Sequence, residues 1–272
     1  MSMSKMKSSV LALAGLTAFP CSAFAAQDLS GFSGLIDGGF TYSRDTRNAV
    51  GSAIDTDQYT LHGALLYTFD NPGFGFQIDG QNNYYFGIKH NEADLWSTGG
   101  TMFFRDDKGT IGLSGSYFAA DAPAAPFFSG KKSLESYGFF GEYYPFRSLT
   151  LMVKGGGTSG PVGLASYFGG GGLTWYEYPD LAFHTEVNFT SFTSGEDWTD
   201  YNASLDYLPF RSMPMSISLG YDHAIIAGVG YTSAFFASLK FHFGQGNALV
   251  DYDRTGPVQY TGNATPGSNL KF

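Results

Sequence analysis

The feature that most constrains this chain is an alternation of period two that runs through nearly all of it. Leu61, Gly63, Leu65, Tyr67 and Phe69 alternate with His62, Ala64, Leu66 and Thr68. Leu181, Phe183, Val187 and Phe189 flank His184, Glu186, Asn188 and Thr190, and Met215, Ile217, Leu219 and Tyr221 flank Ser216, Ser218 and Gly220. Successive side chains of a strand point to opposite faces, so each such segment predicts a strand with one apolar face and one small or polar face. No helical stripe of comparable length interrupts the pattern. Strands are expected over 32–43, 57–69, 74–86, 95–105, 110–118, 134–144, 148–155, 163–177, 181–191, 199–208, 213–222 and 229–243, twelve in all.

Composition narrows what such strands can build. Aromatic residues make up 17% of the 272 residues and charged residues only 14%, with Gly 37, Tyr 18 and Phe 26. That is too aromatic for a disordered chain. One Cys excludes a disulfide-stapled scaffold and a Cys-based zinc site. A net charge of −9 argues against a nucleic-acid partner, whose binding surface must be basic.

Residues 1–25 read as a secretory signal. Lys5 and Lys7 form a positive start, Val10 to Phe19 a short apolar stretch, and Ala23-Phe24-Ala25 a cleavage site. Phe19-Pro20 before Cys21 is wrong for a lipoprotein signal. Beyond it no apolar run reaches the ~18–20 residues of a membrane helix. An exported β chain of this kind is either a soluble β protein or a barrel closed within a membrane.

The connections favour the barrel. Those after even-numbered strands are tight: Asp70-Asn71-Pro72-Gly73, Asp106-Asp107-Lys108-Gly109, Pro145-Phe146-Arg147, Tyr178-Pro179-Asp180 and Pro209 to Met213. Those after odd-numbered strands, 44–56, 87–94, 119–133, 156–162, 192–198 and 223–228, are mostly longer and polar. Short turns at one rim and long loops at the other characterise outer-membrane barrels. Outward aromatics gather at both rims, Tyr67, Phe69, Phe104, Trp175 and Phe241 at one and Tyr42, Tyr59, Trp96, Tyr201 and Tyr231 at the other. Such girdles match the two membrane interfaces.

On these grounds the chain resembles the Gram-negative outer-membrane β-barrel, or porin-like, class over 32–243. The likeness rests on the signal, the even strand count, the last strand from Tyr231 to Phe243 with its aromatic end, and the Gly-rich strand-turn Gly169 to Asp180. It implies a twelve-stranded antiparallel transmembrane barrel of residues 26–243, inserted in outer-membrane lipid and lipopolysaccharide by barrel-assembly machinery. The polar, turn-rich tail 244–272 departs from the class, which usually stops at the terminal aromatic. It is expected to lie in the periplasm or tucked into the lumen. A monomer is the default.

The inward parity carries Asp37, His62, Asp79, Arg105, Glu142, Lys154, His184, Glu186, Asp206 and Lys240, the expected pore-lining set, among Gly, Ser, Thr and Ala. Twelve strands fall between filled eight-stranded barrels and open porins. A narrow passive channel for small hydrophilic solutes or ions is one reading; a barrel sealed by paired lumen charges and working through its loops is the other. A lipid-cleaving enzyme needs a nucleophile with a His base facing the membrane. No outward His with a neighbouring Ser is evident, and Asp222-His223 at the long-loop rim point to opposite faces with no matching Asp pair, so no enzyme is expected. Gly155 to Gly160 lacks the Lys of a phosphate loop and precedes no helix. No cofactor and no metal is expected.

Overall fold

The computed structural model describes residues 31–46, 54–69, 73–86, 93–125, 128–160, 165–244 and 246–258. The signal segment and residues 259–272, with Leu270-Lys271-Phe272, lie outside the described residues. So do residues 70–72 of the first tight turn.

Twelve strands follow in order: β1 (Gly31–Asp45), β2 (Ile54–Thr68), β3 (Phe74–Phe86), β4 (Ala93–Arg105), β5 (Gly109–Ala125), β6 (Phe128–Phe146), β7 (Leu149–Ser159), β8 (Ser166–Tyr178), β9 (Leu181–Phe192), β10 (Asp197–Tyr207), β11 (Met215–Ile226) and β12 (Gly230–Phe243). Each pairs antiparallel with its neighbours, and β1 pairs with β12, so the sheet closes without an edge. Closure satisfies every strand's hydrogen bonds within the protein, which a hydrocarbon surrounding requires. The outer wall confirms the surrounding: Ile36, Leu65, Ile78, Leu113, Val153 and Leu219 are all exposed, Leu113 by 61%. A belt of this extent far exceeds the apolar patch a soluble monomer shows. Outward rings pack against each other in tilted pairs at both rims, Phe74 with Phe104 at one and Trp96 with Tyr117 at the other.

Several strand boundaries differ from those read in the sequence; β7, for one, runs on to Ser159 through part of the expected 156–162 loop. The stretch 119–133 continues as the β5–β6 hairpin, because its many small residues still pair in register as far as Ala122 opposite Gly130. Strand β11 runs on to Ile226, which places His223 inside the sheet rather than in a loop.

The interior is unevenly filled. Inward Leu95, Phe103, Phe118, Leu134 and Phe140 pack the β4–β6 side. Two of these rings lie across glycines directly opposite: a Cβ at Gly75 would strike the Phe103 ring, and one at Gly112 the Phe140 ring. Glycine is required there so that the ring can lie flat on the wall. The remaining wall, from β7 round to β3, borders open space and carries many small and polar side chains beside a few large ones such as Met152, Phe168, Trp198 and Phe236.

The tail turns back into the barrel. After Gly244 at φ +113, residues 249–255 form a seven-residue helix, α1 (Leu249–Thr255). Isolated helices this short do not persist in water. Here Leu249 and Val250 are buried with Tyr176, Ala182 and Leu208, and that packing holds the helix in place.

Candidate functional site

The lumen has two storeys. On the long-loop side and at mid-height lies a cavity of about 300 Å³. Six residues of the expected pore-lining set border it: Asp37, His62, Lys154, His184, Glu186 and Lys240. Trp198, Asp200 and Asn202 on β10 border it too; Trp198 falls in the stretch 192–198 read as a connection, and neither Asp200 nor Asn202 is in the expected pore-lining set.

The charges are arranged in short chains along the wall. Lys240 Nζ donates to Asp206 Oδ2 at 2.6 Å, and Ser218 Oγ donates to the other carboxylate oxygen. His184 Nε2 stands 3.6 Å from Asp206, with its Nδ1 2.7 Å from Thr174 Oγ1. Asp206 is thus enclosed by partners and does not border the cavity. Asp37 lies directly opposite both His62 and Lys240, and its Oδ1 has no hydrogen-bond partner among the described residues. Lys154 pairs with Glu186 across an intervening strand. That reach explains the Gly169–Gly172 run: the inner face of β8 is bare at Gly170 and Gly172, which sit opposite Lys154 and Glu186.

The lower storey is occupied by the tail. Gln77 Nε2 donates to Val258 O at 3.1 Å while Val258 N donates to Gln77 Oε1 at 2.8 Å. Arg105 Nη2 donates to Gly256 O at 3.0 Å and Ser33 Oγ to Thr255 O at 3.1 Å. Tyr176 Oη donates to Asp253 Oδ2 at 3.0 Å. Arg254 donates to the carbonyls of Phe146 and Leu149, with its guanidinium 4.6 Å from the Tyr144 ring centre. Arg147 pairs with Asp251 at 3.2 Å, and Tyr252 stacks on His242. Val258 completes an apolar cluster with Leu66, Phe103 and Phe140. Partners on β1, β3, β4, β8 and β12 and at the β6–β7 turn surround the segment, which therefore crosses the whole short-turn mouth. Burial pushes the Asp253 carboxyl above the usual carboxylate range; the charges of His184 and Lys240 oppose this, and that of Asp206 adds to it.

The other four residues of the expected set belong to this storey or its ceiling. Arg105 holds the tail. Glu142 accepts from Tyr144 at 2.6 Å and borders a small gap beside Asp253 and Arg254. Asp79 accepts from Gln77 at 3.4 Å. Asp206 anchors Lys240 above.

One expectation is overturned on the outer wall. His223 faces outward on β11, directly opposite outward Ser233 on β12, with Nδ1 2.9 Å from Ser233 Oγ. Reading β11 as ending at 222 had hidden the pair.

A closed antiparallel barrel with an apolar belt, aromatic rims and a polar, charged interior is the transmembrane β-barrel fold found in outer-membrane proteins. Solved structures share this fold. The chain is similar to an outer membrane channel from Pseudomonas putida F1, with TM-score 0.60 and 8% identity over 79% of this chain and 98% of that one. It is similar to the NanC porin, with TM-score 0.52 and 11% identity over 76% and 98%. It is also similar to the KdgM porin, with TM-score 0.50 and 10% identity over 76% and 99%. At these identities the likeness is one of fold. No protein-family model and no curated protein matches the chain.

Proposed function

We propose that this protein resides in the outer membrane as a monomeric, narrow channel for small hydrophilic solutes or ions, closed at its periplasmic mouth by its own tail. The observation that carries the reading is the cavity of about 300 Å³, lined by charged and polar groups from most of the wall. A lumen meant only to be filled would be packed by side chains, as the β4–β6 side is. Charged side chains at a constriction select permeants by sign, and here both signs alternate around the wall. Passage requires the segment 246–258 to leave the mouth.

One observation favours a second reading, a sealed barrel acting through its surface: the tail's hydrogen bonds reach partners around the whole mouth. Planar-bilayer conductance separates the two. The full chain is expected to show rare, brief openings, and a chain lacking 245–272 steady ohmic steps. Silence from both, with the shortened chain folded and inserted, would leave the sealed barrel.

A further inference from the structure

The outward side chains of β11 and β12 are apolar or Tyr throughout, except at His223 and Ser233. These two face each other, and they form a connected network. Tyr221 Oη donates to Ser233 Oγ at 3.1 Å. That leaves the serine's own proton to be donated to His223 Nδ1, 2.9 Å away. A hydroxyl with a neutral imidazole in hydrogen-bond reach is the minimal arrangement of an activated nucleophile.

Its height on the barrel matters. Outward positions of β12 run from Tyr231 in one girdle to Phe241 in the other. At a rise of ~3.3 Å per residue and a tilt of ~40° they span roughly 25 Å, the height of the apolar band. Ser233 is the next outward position after Tyr231, so it lies roughly 5 Å below that girdle. This is where the acyl linkages of the outer leaflet meet the headgroups. Arg44 stands directly opposite Ser233 on β1 and faces outward at the same height, where it pairs with Asp55 of β2 at 4.0 Å.

From this placement we infer that Ser233 and His223 form a membrane-facing esterase site for acyl esters of outer-leaflet lipids. In the first step Ser233 Oγ attacks the ester carbonyl carbon while His223 Nδ1 takes the hydroxyl proton. The carbonyl carbon's bond to the lipid alkoxide breaks, and the imidazolium gives its proton to that oxygen. An acyl-serine and a free lipid alcohol result. Water then gives a proton to the same nitrogen and attacks the acyl carbon. The bond to Ser233 breaks, the serine oxygen recovers the proton, and a fatty acid departs. No described carboxylate bonds to His223, so the pair works as a dyad and turnover is slow.

The test uses the folded full chain in mixed micelles. A fluorophosphonate probe is expected to label the wild-type protein on Ser233. Labelling should vanish in Ser233→Ala and fall roughly 100-fold in His223→Asn, the scale of losing a general base. Both variants should keep the heat-modifiable mobility of a closed barrel; if one does not, the other decides. Purified phospholipid and purified lipopolysaccharide are then supplied separately, and fatty-acid release identifies the source of the ester. Wild-type labelling no greater than that of Ser233→Ala overturns the proposal. So does release from neither lipid, even with the serine labelled. Conductance of the same preparation is an independent measurement, so failure of this site and failure of the channel reading are told apart.

Discussion

Gln77 and Val258 pair like one rung of a sheet: the side-chain amide of a wall residue gives and receives one hydrogen bond each with the tail's backbone. Both residues are buried, Gln77 to 2% and Val258 to 3% exposure. Replacing Gln77 with Ala strands a peptide N–H and a carbonyl, at about 1–3 kcal/mol for a buried unsatisfied group. The tail of Gln77→Ala should therefore exchange amide hydrogens faster over 249–258 while the strands keep their protection. Equal protection of the tail in both proteins would show that the clamp does not hold it.

Acidity should tighten the closure. The docked Asp253 carboxyl titrates above its free value, so the docked tail binds the proton more firmly than the released one. Its contribution to docking is complete below the free carboxyl's range and is lost as pH rises through the docked value. Open probability in bilayers should rise with pH across the mildly acidic range. In Asp253→Asn, where the amide oxygen can still accept from Tyr176, that dependence should flatten. A slope unchanged by the substitution would place the titrating group elsewhere.

Lys154 and Glu186 neutralise each other beside the cavity, so removing either should bias the lumen in opposite directions. Glu186→Gln should shift the reversal potential across a salt gradient toward anions, and Lys154→Met toward cations. The field fades within about 8–10 Å at 0.1–0.15 M salt, so both shifts should grow on dilution. Shifts of the same sign would mean that neither residue borders the ion path.

The wall should discriminate sharply between its faces. Leu219→Arg puts a cation on the lipid side near mid-height, a change worth about 2–4 kcal/mol. Asn202→Arg puts the same group toward the cavity, where water can solvate it. The first variant should refold poorly and lose heat-modifiable mobility, and the second should not.

The strands were legible because period two is a direct image of a wall with lipid on one side and a polar lumen on the other. Twelve segments written by that pattern became twelve strands, and parity alone placed every expected lumen residue inward. What the pattern could not carry was pairing at a distance. Lys154 meets Glu186 only because β8 is bare between them, which requires knowing the register of three strands. The short helix left no stripe, since α1 has seven residues and its polar members Asp251, Asp253 and Arg254 find partners on the wall instead of on each other. His223 and Ser233 were one arithmetic step away: they are equidistant from Gly228, the centre of the β11–β12 turn. Ending β11 too early concealed that symmetry.

The occluding segment is the direct continuation of β12, joined to it by residues 244–248 alone. On the proposed channel reading it therefore stays attached to the barrel when it leaves the mouth. A short flexible tether keeps a released partner at an effective concentration in the millimolar range. Reclosure is a first-order event, indifferent to how many copies the membrane holds. Any periplasmic molecule that would keep the mouth open must compete with a resident that is always present in one-to-one ratio, and a weak ligand at micromolar abundance cannot win that contest.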